Sequence, residues 1–201
     1  MNKILAVFCA LLLTLGYAFS QEEGVLFSAG FEKDVDGFAT MDRDAKLTRT
    51  TDPELVYKGK GSLQLTFLQR PLKTEPGHED LAGTIMFPIK DPQPALRGIS
   101  FAVAASHSTP LVIMLMKGDN GPRYQAIIWC EAGEWHPSTL SLDQFQWSDD
   151  SPVDPDGKLV PEKITGCVLL DMGGMLRTMT EQQTMFYVAP PEDQSIWLDE
   201  F

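Results

Sequence analysis

The sequence predicts an all-β sandwich, on three observations. About ten short segments alternate between polar and apolar residues or run apolar at regular spacing, turn signals rich in Gly, Pro and Asp separate them, and no stretch sustains a helical period. The last segment, Ser195-Ile-Trp-Leu-Asp-Glu-Phe201, is the clearest. As a strand it puts Trp197, Asp199 and Phe201 on one face and Ile196, Leu198 and Glu200 on the other. Both faces begin apolar, so it reads as a strand covered on both sides and held by neighbours. Asp199 lies between two large aromatics, and a buried carboxylate must be hydrogen-bonded, paired or bound to a metal.

The chain begins with a segment expected to lie outside the fold. Met1-Asn-Lys3 is basic, residues 4–15 are almost unbroken apolar, and Ala18 and Ser20 supply the small residues expected before cleavage. Residues 1–20 are therefore expected to be a signal peptide, leaving residues 21–201 as one secreted or periplasmic domain. The apolar run is short for a membrane span, and Cys9 inside it argues against a lipid-anchored precursor. The formal charge of −12 becomes −13 when Lys3 is removed. An acidic balance of that size disfavours nucleic acid and anionic membrane surfaces as partners. Cys130 and Cys167 remain after cleavage. A disulfide and two buried thiols are both open, and neither metal nor redox cysteine spacing occurs.

The elements follow in order. Residues 25–32 read as a first strand, and 37–40 and 46–50 as short ones between acidic turns. Lys58-Gly-Lys-Gly61 is a tight turn, and 62–68 alternates cleanly as Ser-Leu-Gln-Leu-Thr-Phe-Leu. Residues 70–80 carry two prolines, a glycine and mixed charge, and read as a loop. Strands are expected at 81–89, 99–105, 111–116 and 124–130. Asp91-Pro-Gln-Pro94, Ser106-His-Ser-Thr-Pro110 and Lys117-Gly-Asp-Asn-Gly-Pro122 separate them. A strand at 134–142, a closing turn at 142–145, an acidic loop at 147–157, and strands at 164–170 and 184–188 complete the series.

Several local patterns occur in a recognisable order. Gly30-Phe-Glu32 follows the first strand, and Gly59-Lys-Gly-Ser-Leu63 opens an alternating one. Gly133-Glu-Trp135 comes next, with Leu142-Asp-Gln-Phe145 shortly after. Asp156-Gly-Lys-Leu159 leads into a strand, and Ile196-Trp-Leu-Asp199 closes the chain. In this order the chain resembles the galactose-binding-domain-like jelly rolls, particularly the non-catalytic carbohydrate-binding modules of secreted polysaccharide-degrading enzymes. The resemblance spans essentially residues 21–201 and implies a jelly-roll β-sandwich of two antiparallel sheets. It also implies a structural calcium held by Glu32, a backbone carbonyl near Lys60 and the Asp199 carboxylate, with Gly30 as a further backbone donor. Such a hard ion takes carboxylate and carbonyl oxygens. The other reading of Glu32 and Asp199 is hydrogen bonding to backbone, Arg or Lys.

For chemistry, a glycosidase needs two positioned carboxylates, and most acids here, such as Asp149-Asp150 and Glu192-Asp193, sit in proline-bearing loops. Asp154-Pro-Asp-Gly157 resembles part of a calcium loop. Pro152 and Lys163 occupy its first and last ligand positions, so it reads as a turn. His78, His107 and His136 are scattered, and His78-Glu-Asp80 reads as exposed loop rather than a metal site. Sugar binding needs an aromatic platform beside amides and acids. Alternation over 124–131 groups Gln125, Ile127, Trp129 and Glu131 into the best strip, with Arg123 and Tyr124 at its entrance. Trp129 as a core residue is the competing reading. Trp135 and Trp197 read as core from pattern and resemblance, Trp147 as exposed, and the nine methionines as mostly core filling. The expected function is a secreted non-catalytic carbohydrate-binding module. An exported structural or adhesion protein with a protein partner, and a small glycoside-active enzyme, are the alternatives.

Overall fold

The computed structural model describes residues 25–42, 44–68, 74–75, 78–79, 83–118, 120–173 and 193–201. Twelve strands occur among them: β1 (Lys46–Thr50), β2 (Ser62–Leu68), β3 (Thr74–Glu75), β4 (His78–Glu79), β5 (Thr84–Pro88) and β6 (Gly98–Ala105), followed by β7 (Thr109–Met116), β8 (Arg123–Cys130), β9 (His136–Ser141), β10 (Gln146–Trp147), β11 (Gly166–Asp171) and β12 (Asp193–Asp199). Two five-stranded sheets, β1-β2-β12-β6-β9 and β10-β8-β7-β11-β5, stack face to face, and β3 and β4 form a small separate hairpin. Every strand pair is antiparallel. The chain crosses repeatedly between sheets, as a jelly roll requires.

Alternation explains the packing. In β2, Leu63, Leu65 and Phe67 turn inward while Gln64 and Thr66 turn outward. Ile196 and Leu198 of β12 pair with Leu65 and Leu63 and are fully buried with them. Phe101 and Val103 of β6, Leu111, Ile113 and Leu115 of β7, and Leu169 of β11 close the same core. Each such side chain contributes about 1.5–3 kcal/mol through burial. β12 lies between β2 and β6, so the terminal strand is central to its sheet.

Several expectations need correction. Residues 25–32 form no regular strand, and only Ala29 pairs with Phe201, through two backbone hydrogen bonds of 2.7 and 3.0 Å. The reason is local: Phe31 takes φ 51°, a left-handed conformation incompatible with a ladder. The expected strand at 37–40 shrinks to a single Ala39–Met86 bridge. The loop at 70–80 contains the β3–β4 hairpin, and the acidic loop begins with the edge strand β10. The expected strand at 184–188, the signal segment and the side chains of His78-Glu-Asp80 lie outside the described residues.

Four of the described methionines do not fill the core between the sheets. Met86, Met114, Met116 and Met172 gather with Val112, Val168 and Leu170 on the outer face of the β10–β5 sheet, a second apolar cluster. Register makes this necessary, because Met114 and Val112 alternate with the inward Leu111, Ile113 and Leu115. Cys130 and Cys167 are both buried free thiols, and burial pushes each up to about 12, so they behave as apolar residues. Among the described residues no helix is long and apolar enough to cross a membrane.

Candidate functional site

In β8 the inward positions Tyr124, Ala126, Ile128 and Cys130 pack on the core, so Gln125, Ile127 and Trp129 project from the outer face. Ile127 is 60% exposed and Trp129 48%, which decides against Trp129 as core. Beyond the strand end the Glu131 carboxylate takes the Trp129 indole N–H at 2.6 Å and the Ser108 hydroxyl at 2.9 Å. The Glu131 N–H donates to His136 Nε2 at 2.9 Å, which ties the strip to the start of β9. Gln125 accepts a long hydrogen bond from Ser148 at 3.3 Å. The structure thus brings Gln125, Trp129 and Glu131 together on one open face. The indole is held by its edge through the Glu131 carboxylate.

Arg123 and Tyr124 do not join them. Arg123 turns to the acidic loop, with an ion pair to Asp150 at 3.0 Å and a hydrogen bond to the Asp150 carbonyl. Tyr124 has inward parity and is buried, its hydroxyl donating to Asp154 at 2.5 Å. Trp147 is exposed as expected, but it pairs with Tyr124 rather than Gln125 and so lies on the other face of the edge strand.

Asp154 belongs to a cluster that the sequence did not reveal. The Lys117 ammonium sits 2.8 and 2.6 Å from the two Asp154 carboxylate oxygens, 2.8 Å from Asp156 and 3.1 Å from the Lys158 carbonyl. Lys117 and Asp154 side chains are only 5% and 3% exposed. Burial alone would raise the Asp154 carboxyl, but hydrogen bonds from Lys117, Tyr124 and the Asp156 N–H outweigh it and hold it below the usual range. Burial alone would lower the Lys117 ammonium, and its two aspartates reverse that. Asp156, bonded by Lys117 and Lys163, is lowered to about 2. Burial, with Asp154 beside it, raises Tyr124 to about 12. The Asp154-Pro-Asp-Gly157 turn therefore closes around a lysine.

A further buried network lies near the strip's end. Gln194 accepts from Ser106 and the His107 N–H at 2.8 and 3.1 Å, and donates to Asp171 at 3.1 Å. Burial raises Asp171 despite its hydrogen bonds from Gln194, Gly173 and Thr109. No spacing in the sequence links residues 106, 171 and 194.

The four residues expected at a metal occupy the junction of chain start and chain end. Glu32 accepts the Lys60 N–H at 2.9 Å. Asp199 is fully buried; one oxygen accepts from the Tyr57 and Lys58 N–H groups at 2.9 and 3.0 Å, the other from Glu200 N–H at 2.8 Å. Burial raises its carboxyl even so. Arg49, which the sequence did not single out, donates to the Phe31 and Lys60 carbonyls. Gly30 sits beside Glu32 and Glu200 without a bond to either.

Trp135 and Trp197 are not core. Trp197 alternates with Ile196 and Leu198 and is half-buried on the outer face of its sheet, and Trp135 packs against exposed Tyr57 with ring centroids 5.6 Å apart.

No family model matches the chain, and no curated protein does. Solved structures match in fold. A family 11 carbohydrate-binding module from Clostridium thermocellum, in complex with a β-1,3-1,4-mixed-linked tetrasaccharide, superposes with TM-score 0.54 at 12% identity over 89% of each chain. The CBM22-1 xylan-binding domain of Paenibacillus barcinonensis Xyn10C gives 0.51 at 15% identity, over 87% of this chain and 90% of that one. An exo-β-agarase gives 0.54 at 11% identity, over 86% of this chain and 24% of the enzyme. This chain is a jelly-roll β-sandwich similar in fold to the family 11 and family 22 carbohydrate-binding modules.

Proposed function

We propose that this protein is an exported, non-catalytic carbohydrate-binding module whose binding strip is Gln125, Ile127, Trp129 and Glu131. One observation carries the reading: an exposed tryptophan on an outer sheet face, its indole N–H fixed by Glu131. A ring held by its edge stacks on a sugar at low conformational cost, while Gln125 offers amide groups to hydroxyls. Both Glu131 carboxylate oxygens accept protein hydrogen bonds, which suits a positioning role better than acid–base catalysis. Fold likeness at these identities supports the architecture, and the ligand class rests on the strip.

The test is retention of the purified protein on mixed-linked β-glucan, xylan and agarose in affinity electrophoresis. Binding to one class is expected, with Trp129→Ala losing at least about tenfold in affinity while its unfolding midpoint stays near wild type. If the folded protein passes all three polymers unretarded, or Trp129→Ala binds as wild type, the strip is not a sugar site. A protein partner then becomes the better reading, and the groove of about 790 Å³ beside exposed Val25, Leu26 and Phe27 the place to look for it.

A further inference from the structure

The calcium that the sequence resemblance implies would sit among Glu32, the Lys60 carbonyl and Asp199, and the donor set there does not fit it. Calcium needs six to eight oxygens facing inward. Here the Asp199 carboxylate faces three backbone N–H groups and Glu32 faces a fourth, so the positive ends of peptide dipoles surround the acids. The carbonyl oxygens left over already have a cation. Arg49 Nε lies 2.5 Å from the Phe31 oxygen, and Nη2 3.0 Å from the Lys60 oxygen.

We propose that the Arg49 guanidinium is the resident cation of this junction, taking the place of a metal ion, and that the fold is consequently independent of calcium. The planar fork of an arginine can bond two carbonyls on different segments at once, and a lysine, a single point charge, cannot do so in the same geometry. The surroundings are shaped for it. A Cβ at Gly61 would fall 2.5 Å from Arg49 Nε and Nη2, so only glycine lets the guanidinium lie against the turn. Gly59, at φ 79°, leaves the matching space for Glu32, whose carboxylate a Cβ there would strike.

The backbone of the junction is held in unusual conformations. Phe31, Asp36 and Glu200, at φ 51°, 48° and 50°, are the three non-glycine left-handed residues among those described, and all belong to this join. Such conformations persist where the surroundings over-determine them. Phe31 is an instance: its ring is buried, Asp36 accepts its N–H at 2.9 Å, and Arg49 takes its carbonyl. Lys58 adds an exposed pair to Glu200 at 2.7 Å across the same seam.

Thermal unfolding of the purified protein in excess calcium and in excess EDTA tests the assignment. The wild type is expected to melt at the same temperature in both, within about 1 °C; an ion bound at a hundredfold excess over its Kd would separate the curves by roughly 5–10 °C. Arg49→Met is expected to lower the midpoint by about 5 °C in both solutions, with Arg49→Lys failing to restore it. A calcium-dependent wild-type midpoint overturns the proposal, as does Arg49→Met melting like wild type. The wild-type comparison decides the matter even where Arg49→Met does not fold.

Discussion

Two regions of this molecule combine acids with a cation supplied by the chain itself, and they satisfy them in opposite ways. At the Lys117 cluster the carboxylates of Asp154 and Asp156 pair directly with an ammonium. At the terminal junction Glu32 and Asp199 spend their oxygens on backbone N–H groups, and the guanidinium of Arg49 binds neutral carbonyls. The difference follows from the two side chains. An ammonium is compact and strongly hydrated, so leaving water demands full counter-charge, and Lys117 has Asp154, Asp156 and a carbonyl around it. A guanidinium spreads its charge over a plane and bridges two loops through neutral acceptors. Strong pairing anchors one loop onto the β7 end, whereas distributed bonding sews two distant segments together.

The largest way to break this contrast is Lys117→Met. It leaves the buried Asp154 without its counter-charge, and a loss of about 3 kcal/mol is expected in urea unfolding, toward the low end for broken buried pairs because Asp156 reaches solvent. A loss below about 1 kcal/mol would mean that water compensates Asp154, and the ammonium would then not be the anchor described.

The pH dependence sharpens the same point. Lys117 is raised above its ordinary 10.5, so its stabilisation is complete below that value and disappears as pH rises through the folded value. Tyr124, raised to about 12, adds to the same alkaline loss, since the unfolded chain gives up that proton first, near 10. Asp154 is lowered, so its contribution is present above the unfolded value near 4 and disappears as pH falls through the folded one. Asp171 and Asp199 are raised and act with opposite sign: their stability effect declines as pH climbs from the unfolded value through the folded one, which blunts the acid limb. The alkaline limb is therefore the informative one. Midpoints between pH 9 and about 12 should drop more steeply for wild type than for Lys117→Met, and parallel curves would remove the lysine from the account.

The smallest expected effect is Tyr124→Phe. It deletes one hydrogen bond to a buried carboxylate that keeps Lys117, so about 1 kcal/mol is expected, read from the same urea curves. Equality with Lys117→Met would show the hydroxyl, and not the ammonium, to be the principal partner of Asp154.

What could be read in advance was what alternation encodes. β2 falls at 62–68 as expected, because Leu63, Leu65 and Phe67 need one face and Gln64 and Thr66 tolerate the other. β8 was legible for the same reason, and so was the grouping of Gln125, Trp129 and Glu131. Whether that group faced water was not legible, since a period of two specifies which residues share a face and leaves open which face meets the other sheet. Trp197 and the four methionines of the outer face were misplaced on this point. Tyr124 was expected at the entrance of the strip, and its parity with Ala126 and Ile128 sends it inward instead.

By itself, then, the sequence determined the all-β class, most strand positions and the central terminal strand, because these follow from local periodicity and turn chemistry within a few residues. Only the tertiary structure decided the partners of the acids. Lys117 meets Asp154 across 37 positions, Tyr57 meets Asp199 across 142, and Arg49 meets Phe31 across 18. A charge in sequence carries no record of its counter-charge; the pairing is settled when sheet stacking takes both groups out of water and each must find its complement within hydrogen-bond distance.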